Sequence, residues 1–506
     1  MNYELILKNL RPSQEEIDAV NKTTDKVINF INETCKDEGI DAQANAVGSV
    51  AKNTWLSGKS DIDIFISFPL DVEMDQLKEK GLYLAYKTND ALNGKANEHY
   101  ASHPYLTCEI DGFEVDIVPC YAIDEGDSIV SAVDRTILHT RYIQKNLSKE
   151  QEDEVLLLKK FMDAVGTYGS EFKTGGFAGY LCELLILKYK TFENTLRTAQ
   201  NWKRRTLIDL EDFGTVGNAI FKQDPLVFID PTDKNRNVGA ALRLERYVDF
   251  IVASRNFLDI LDNNELDGEE RQERILKFFK PLQKEHLLNK SNEEIAKHII
   301  DSFEDRQTKT LVIKFPIPEM SADALHPQLL KTVQSICEKI EMEEFSVFKY
   351  DYWTDEANFV VFTIELNVYK QGKYYIHKGP KVWPKNACDN FKKKWQDDVY
   401  PLDEFMVLTR EREFKTAEDF IRYMLSEENV HIVKVGKNIK ESICNEYLLL
   451  EIDEFLNNLD EYFAENADNQ SMDDIGDVND QIIGDNIFDY LNSLDDFLNP
   501  GQYLKR

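Results

Sequence analysis

Two β-rich runs joined by an Asp-Gly pair constrain the fold of the amino-terminal region most strongly. Residues 105–119 read YLTCEIDGFEVDIVP, and an Asp-Gly pair between two such runs predicts a β-hairpin. A third run, DIDIFISFP (61–69), alternates polar and apolar residues and predicts another strand. Residues 13–36 repeat apolar residues at helical spacing. This region therefore predicts a small mixed sheet packed against helices.

Three carboxylates lie on the predicted strands. Side chains two positions apart on a strand point to the same face, so Asp61 and Asp63 project together. Asp116 lies between apolar neighbours in the hairpin, and strand pairing would bring all three together. Their repulsion would raise their pKa values unless a cation intervened. Mg²⁺ prefers oxygen ligands, so we predict a site for two magnesium ions. A lone Asp-x-Asp pair also fits an ordinary solvated strand end.

A Gly-Ser pair precedes these carboxylates. Gly48 allows a close backbone approach, and exposed N–H groups with the Ser49 hydroxyl are suited to holding a triphosphate. Lys52 follows shortly and can neutralise phosphate charge. Neither a Walker A loop nor a dinucleotide-binding glycine motif competes with this interpretation. We therefore predict a nucleoside-triphosphate site beside the carboxylates.

The order of these motifs resembles the signature of the polymerase-β-like nucleotidyltransferase superfamily. Beyond it, the chain is similar to the archaeal, class I CCA-adding enzymes over residues 1–452. The segments that carry this resemblance are HPY (103–105), VDIVPCY (115–121), SAVDRT–LHTRY (131–142), LLLKKF (156–161), YGSEFKTGGFAGYLCELLI (168–186), DPTDKNRNV (230–238), HPQL (326–329) and GKNIKESI (436–443). The resemblance implies addition and repair of the 3′-terminal CCA of tRNA from CTP and ATP, with release of pyrophosphate.

The resemblance also implies an α+β multidomain fold. We expect a catalytic nucleotidyltransferase palm over residues 1–138 and a helical, nucleotide-binding central domain over residues 139–262. An α/β tail domain that binds the tRNA acceptor stem would occupy residues 263–452. Residues 453–506 have no clear family counterpart, and their acidic, Asn-rich sequence predicts short amphipathic helices on a flexible extension.

Functional residues follow from the resemblance position by position. It implies that Asp61, Asp63 and Asp116 are the catalytic, metal-binding carboxylates. Arg236, in a segment that reads as a polar turn, matches an arginine that reads the base edge of CTP or ATP. The residues that match further nucleotide contacts are Ser49, Lys52, His139, Lys159 and Tyr168. Taken singly, the histidine, Lys159, the tyrosine and the arginine each also fit an ordinary role in packing or on the surface.

Three positions depart from the family pattern. Arginine is usual at position 52, where Lys52 keeps the charge but loses bidentate geometry. Glutamate is common at position 61, where Asp61 keeps the carboxylate on a shorter arm. Gly175 stands where a basic residue is frequent, which would weaken a contact with RNA or phosphate. None of the three removes a carboxylate, so we expect activity.

The overall charge opposes binding to a polyanion, because the chain carries a formal net charge of −32. RNA binding must therefore depend on local basic patches. Between residues 370 and 394 eight lysines face one acid, Asp389, with aromatic residues interleaved. Lysines for phosphates and aromatic rings for stacking predict an acceptor-stem site here. A second patch, residues 188–205, fits a charged helix face equally well.

Cysteine usage and hydropathy indicate the cellular compartment, and two alternative functions stay open. The seven cysteines are scattered, and no apolar run is long enough to span a membrane, so we expect a reduced, cytoplasmic protein without membrane contact. The sequence leaves the oligomeric state open, with a homodimer as one alternative. Two other functions fit the same residues. One is a poly(A) polymerase or oligoadenylate synthase on the same palm, and the other is a non-catalytic RNA-binding module.

Overall fold

A computed structural model provides the fold. The residues that it describes are 3–100, 104–124, 133–214, 221–464 and 476–504. The chain divides into two compact units, one formed by Met1–Gln283 with Tyr503–Arg506 and the other by Lys284–Gln502. Both units mix helices with sheets, as an α+β multidomain fold requires.

The amino-terminal part of the first unit contains helices and one five-stranded sheet. Its elements are α1 (Glu4–Leu10), α2 (Gln14–Glu38), β1 (Gln43–Val47), α3 (Gly48–Ala51), β2 (Ile62–Phe68), α4 (Met74–Ala91), β3 (Lys95–Tyr100), β4 (Pro104–Ile110) and β5 (Phe113–Tyr121). The predicted helix, strand and hairpin are confirmed. Helix α2 begins after Ser13, whose hydroxyl accepts the N–H of Glu16, and ends at Gly39 in the left-handed conformation. The hairpin turns at Asp111 and Gly112, both with positive φ.

The sheet has the strand order β1-β2-β5-β4-β3, in which β2 and β5 pair in parallel. Apolar residues at alternate positions of β2 and β5, such as Ile64 and Ile117, pack against α2 and α4. The intervening residues point to the other face, where Phe65 and Val118 contact Ile137. Because side chains alternate across a strand, the polar residues of β2 and β5 lie on this second face.

The rest of the first unit is mainly helical. Its elements are α5 (Arg135–Asn146), α6 (Lys149–Ala164), α7 (Gly179–Tyr189), α8 (Phe192–Ala199), β6 (Thr206–Ile208), β7 (Leu226–Asp230), β8 (Asp233–Asn237), α9 (Leu244–Leu261) and α10 (Gly268–Lys277). These helices enclose one apolar core in which six phenylalanine rings pack together, Phe161, Phe192, Phe250, Phe257, Phe278 and Phe279. Edge-to-face ring pairs of this kind add to the stability gained from apolar burial.

The structure differs from the predicted domain plan in two respects here. Helix α5 crosses the predicted boundary at residue 138, and α10 continues the first unit beyond residue 262, because Ile275 and Phe278 are buried in its core. A three-stranded sheet, β6-β7-β8, also stands in the domain that we predicted to be helical. Strand β7 is short and wholly buried, so it shows no alternation that the sequence could reveal.

The second unit contains two sheets. Its elements are α11 (Asn292–Asp305), β9 (Lys309–Pro316), α12 (Ala322–Met342), β10 (Ser346–Thr354), β11 (Phe359–Val368), β12 (Tyr374–Lys381), α13 (Lys385–Trp395), β13 (Val399–Leu402), β14 (Phe405–Glu411), α14 (Ala417–Leu425), α15 (Lys440–Asn445), β15 (Leu448–Glu451), α16 (Ile452–Leu456), α17 (Leu459–Ala464) and α18 (Gly476–Leu498). The larger sheet has the order β10-β11-β9-β15, and the smaller has the order β12-β14-β13.

Helices α16, α17 and α18 of the acidic extension belong to the second unit. Residues of α12 and α14 cover one face of the larger sheet, and residues of α11, α16 and α18 cover the other. On α18 the residues that point into this second core are Ile487, Tyr490, Leu491, Leu494, Phe497 and Leu498. Burying each such side chain is worth about 1.5–3 kcal/mol, so the apolar clusters outweigh the acidic composition. The prediction of a flexible extension is therefore wrong for α18, while residues 465–475 and 505–506 lie outside the described residues.

Candidate active site

Asp63 and Asp116 are direct neighbours on the second face of the five-stranded sheet. Strands β2 and β5 pair in parallel with Asp63 opposite Asp116, and Asp61 immediately precedes β2. Burial raises the pKa of Asp63 to about 7, and repulsion from Asp116 and Asp61 contributes to that rise. Burial also raises the pKa of Asp116. The carboxylates are thus close enough to repel one another, as the sequence predicted.

Thr107 fixes the orientation of Asp116. The two residues are paired across strands β4 and β5, and the Thr107 hydroxyl donates to Asp116 Oδ1 at 2.5 Å. This hydrogen bond stabilises the charged carboxylate and partly opposes the effect of burial on its pKa. The described residues contain no group of three His, Cys, Asp or Glu side chains that is already arranged around a metal position. Asp61, Asp63 and Asp116 nevertheless supply the hard oxygen donors that Mg²⁺ requires, so the donor set fits this ion.

Gly48 brings the backbone into contact with Asp63. Strand β1 ends opposite Asp63, and the chain turns at Gly48 with a φ of +71°. A Cβ atom at this position would overlap the Asp63 carboxylate. Only glycine meets both demands, because L side chains rarely adopt this φ and no space remains for a methyl group. Ser49 follows in α3, and its carbonyl accepts the N–H groups of Lys52 and Thr54, at 3.2 and 3.1 Å.

The lysine side chains near the site share one buried glutamate. Lys52 Nζ lies 2.7 Å from Glu183 Oε2, and Lys159 Nζ lies 3.8 Å from Glu183 Oε1. Thr54 donates its hydroxyl to Glu183 Oε1 at 2.6 Å, and its carbonyl accepts from Lys159 Nζ at 2.7 Å. The side chain of Glu183 is 0% exposed and that of Lys52 only 8%. The structure thus brings together Lys52 and Lys159, two of the predicted nucleotide contacts.

The charges of this cluster depend on one another. Burial alone would raise the pKa of Glu183, but Lys52 and Lys159 outweigh it and hold that pKa below its ordinary value. Burial lowers the pKa of Lys159, and Glu183 opposes the shift. Sequence reasoning missed Glu183, although a single acid within the apolar run GYLCELLILKY of α7 was a usable signal.

Tyr168 lies near Lys159, one of the two lysines that contact Glu183. It forms an isolated bridge with Phe177, and burial raises the pKa of its phenol far above the ordinary range. A Cβ built on Gly179, at the start of α7, would lie 3.2 Å from the Tyr168 hydroxyl and 3.6 Å from Lys159 Nζ. The tyrosine hydroxyl and the lysine ammonium therefore both approach the same glycine.

His139 and Arg236 meet at a second buried carboxylate, Asp230. His139 Nε2 lies 2.9 Å from Asp230 Oδ2, and Arg236 donates to the same oxygen at 2.8 Å. The ring of Tyr180 stacks on His139 with the centroids 3.9 Å apart. Arg236 lies in strand β8, so the prediction of a polar turn is wrong at this position. Asp230 was missed as a site residue, although it opens the segment DPTDKNRNV.

Gly175 has a structural explanation. Its φ is +60°, and a Cβ built there would lie 2.6 Å from the side chain of Arg243. The Arg243 guanidinium lies over the Phe172 ring at 4.5 Å from the centroid and donates to the Phe172 carbonyl. An arginine from another part of the chain therefore occupies the space beside position 175, where the family pattern has a basic side chain.

The lysines between residues 370 and 394 form an exposed surface in the second unit, which we call the lysine surface. All eight are exposed, and they lie on or beside β12 and α13. Trp383 among them is 74% exposed. Arg410 lies 4.7 Å from the centroid of the Trp395 ring, which shows that cations and aromatic rings are interleaved here. The predicted combination of charge and stacking surface is present.

Comparison with known proteins places this geometry in a family. The chain is 40% identical over 505 residues to the CCA-adding enzyme of Methanothermobacter thermautotrophicus, which covers all of this chain and 99% of that protein. The chain belongs to the CCA-adding enzyme family. It is also 36% identical over 425 residues to the CCA-adding enzyme of Methanocaldococcus jannaschii, across 82% of this chain and 88% of that protein. The predicted resemblance is thus confirmed, and it extends past residue 452, where we expected no clear family counterpart.

Family models match three successive parts of this CCA-adding family member. A nucleotidyltransferase domain matches residues 27–139, the second domain of tRNA nucleotidyltransferases matches residues 153–265, and the C-terminal domain of CCA-adding enzymes matches residues 306–451. The first match confirms the predicted nucleotidyltransferase palm, which contains the carboxylate strands. Among the described helices, none has the length and apolar character needed to cross a membrane.

Proposed function

We propose that this protein adds and repairs the 3′-terminal CCA of tRNA, using CTP and ATP without a nucleic-acid template. The observation that carries the proposal is the pairing of Asp63 with Asp116 beside the Gly48 turn. Such a site combines carboxylates for divalent ions with a glycine turn whose backbone would hold a triphosphate. Membership of the CCA-adding enzyme family supports tRNA as the acceptor.

Two magnesium ions fit the carboxylates of this proposal. Asp61, Asp63 and Asp116 would hold them, and the ions would supply charge stabilisation for the attacking and leaving oxygens. Asp116, held by the Thr107 hydroxyl, would orient the 3′ hydroxyl of the tRNA and accept its proton. The hydroxyl attacks the α-phosphate, a new phosphodiester bond forms, and pyrophosphate leaves.

The triphosphate would lie against the basic side of the site. Ser49, Lys52, Lys159 and Tyr168 would contact it, and the two lysines already lie within one buried network. Because Glu183 holds Lys52, the phosphates would compete with Glu183 for that lysine. This arrangement keeps the ammonium group close to its place of action without leaving a buried charge unpaired.

The base and the RNA would be recognised by separate groups. Arg236 would hydrogen-bond to acceptors on cytosine or adenine, and His139 would contact the nucleotide beside it. The lysine surface would bind the phosphates of the acceptor stem, with the exposed Trp383 available for stacking.

All seven cysteines are free, which is consistent with the proposed cytoplasmic location. A homodimer stays a proposal that light scattering would test.

The test is to incubate the protein with tRNA that ends before CCA, together with CTP, ATP and Mg²⁺, and to sequence the 3′ ends. We expect CCA as the dominant product and no addition when Mg²⁺ is chelated. Long adenosine tracts or no use of CTP would instead support a poly(A) polymerase or an oligoadenylate synthase. Binding of tRNA without release of pyrophosphate would support a non-catalytic RNA-binding module.

A further inference from the structure

The buried carboxylate of Asp230 contacts hydrogen-bonding groups of three residues, His139, Thr232 and Arg236. Its side chain is 0% exposed at the end of β7. Oδ2 lies within hydrogen-bond distance of both His139 Nε2 and Arg236 Nη1. Oδ1 accepts the N–H and the hydroxyl of Thr232, at 2.9 and 2.8 Å. Donors from α5, from the β7–β8 turn and from β8 therefore converge on one carboxylate.

These contacts fix the proton of His139. Burial alone would raise the pKa of Asp230, but the hydrogen bonds, above all that of His139, hold this pKa well below its ordinary value. An ionised carboxylate can only accept hydrogen bonds, so Nε2 of His139 must carry a proton. Burial lowers the pKa of His139, Asp230 opposes the shift, and the positive charges of Arg236 and Lys52 reinforce it.

Tyr180 prevents the histidine ring from turning away. Its ring lies nearly parallel to that of His139, at an interplanar angle of 15°. The hydroxyl of Tyr180 also points to Asp230 Oδ1 at 3.4 Å. His139 is therefore held at one edge by a carboxylate and on one face by an aromatic ring.

The guanidinium of Arg236 is bonded on one side and accessible to solvent on the other. Its Nη1 donates to Asp230, yet the side chain as a whole is 34% exposed. A guanidinium has five N–H donors in a rigid plane, so fixing one nitrogen fixes the direction of the others. A planar fork with a fixed direction can distinguish the hydrogen-bonding edges of bases, whereas a freely rotating side chain discriminates poorly.

We propose that Asp230 is a positioning residue for nucleotide choice, because it aims the Arg236 guanidinium at the base and couples it to His139. This inference deepens the proposed function and rests on the role of Arg236 in it. Asp230 itself lies too deep to touch the nucleotide. Its effect is exerted through the two side chains that it holds.

The first test substitutes Asp230→Asn. The amide keeps the size of the carboxylate but offers one acceptor oxygen and one NH₂ donor, so it cannot satisfy both pairs of incoming donors. We expect the preference for CTP and ATP over UTP and GTP, measured as ratios of kcat/KM, to fall at least about tenfold. The KM for tRNA should not change.

Asp233→Asn is the matched control, because Asp233 lies on the same hairpin and contacts Arg135 at 3.5 Å rather than Arg236. We expect its nucleotide preference to stay within about twofold of that of the unmodified protein. An unchanged preference in folded Asp230→Asn would overturn the inference. An equal loss of activity with all four nucleotides would also overturn it, because that result indicates a structural role alone.

A second test needs neither catalysis nor a change in the buried residue. Arg236→Gln removes a positive charge that faces His139, while Asp230, Lys52 and Tyr180 keep their places. We expect the pKa of His139, followed by NMR of its ring protons, to rise, because the charge of Arg236 helps to hold it down. An unchanged titration would overturn the inferred coupling of Arg236 to His139 at the shared Asp230 carboxylate. Because this readout does not use nucleotide addition, it separates failure of this inference from failure of the proposed function.

Discussion

At the scale of single residues, the candidate site places ionisable groups where burial and neighbouring charges oppose their ionisation. The carboxyl group of Asp63 is buried beside two other carboxylates, and its pKa of about 7 shows that the folded protein resists its ionisation. A group whose pKa is raised by folding destabilises the native state once the pH exceeds its unfolded value. For Asp63 this effect begins near pH 4 and is complete above pH 7. A bound cation would remove it.

Replacing Asp63 by Asn should therefore stabilise the metal-free protein in a pH-dependent way. A shift of about three pKa units corresponds to ~4 kcal/mol, and we expect about half of that at pH 8 because the site can rearrange. At pH 5 the gain should be about a third of that at pH 8, because the effect grows from the unfolded pKa near 4 to the folded pKa of about 7. Urea unfolding in a chelating buffer measures both values. Equal stability of Asp63→Asn and the unmodified protein at pH 8 would contradict the assignment.

Glu183 should contribute to stability through the two lysines that it neutralises. Glu183→Gln leaves Lys52 and Lys159 buried without a countercharge, so we expect a loss of about 3–5 kcal/mol. Adding Lys52→Met to this variant removes one of the uncompensated charges and should recover part of the loss. The four free energies of unfolding form a double-mutant cycle. Additive effects of the two substitutions would show that the ion pair does not couple them.

At the scale of elements, the sequence revealed the parts that depend on local pattern. Alternation indicated β2, and the Asp-Gly pair indicated the β4–β5 hairpin, so the carboxylates were found from their strands. Glu183 and Asp230, the carboxylates that contact the predicted basic residues, were not predicted. The contacts of a buried acid depend on residues far away in the chain, which a local pattern does not reveal. Glu183 meets Lys52, which is 131 positions away, and Asp230 meets His139, which is 91 positions away.

The turn at Gly48 makes the clearest prediction at this scale. Gly48→Ala forces a methyl group onto the Asp63 carboxylate, so we expect nucleotide addition to fall at least about 100-fold, because displaced catalytic groups lose their alignment. Gly39→Ala is the control. Gly39 has a similar φ of +68° but has nothing within 4 Å of its Cβ position. It should lose about 1 kcal/mol of stability and keep its activity. Similar activities in the two variants would contradict the close approach at Gly48.

At the scale of the whole molecule, amino-acid composition alone did not predict which segments pack into a core. The acidic, Asn-rich sequence after residue 452 suggested flexibility, yet α18 covers one face of the larger sheet. Its acids also find partners, since Asp495 is buried against Lys284 at 3.2 Å and His286 at 2.7 Å. The predicted helices form, but the expected flexibility was wrong for α18. Its apolar residues are spaced for a helix, and the residues that they pack against lie in α11 and β10, far away in the sequence.

Substitutions on α18 test whether the extension belongs to the core. Leu491 is fully buried, so Leu491→Ala should lower the free energy of unfolding by about 2–5 kcal/mol. Phe488 lies three residues earlier and is 46% exposed, so Phe488→Ala should lower it by less than about 1 kcal/mol. Chemical denaturation of both variants gives the comparison. Equal, small effects would indicate that α18 does not pack against the sheet.

The central claim is that Asp61, Asp63 and Asp116 together perform metal-dependent nucleotidyl transfer. The most direct measurement is single-turnover addition of cytidine to a tRNA lacking CCA by Asp116→Ala, with tRNA affinity measured in parallel. Glu114→Ala, two residues earlier on the same strand and exposed, is the control. We predict that Asp116→Ala binds tRNA normally but adds no cytidine, while Glu114→Ala adds it at the normal rate. Full activity of Asp116→Ala would contradict the account.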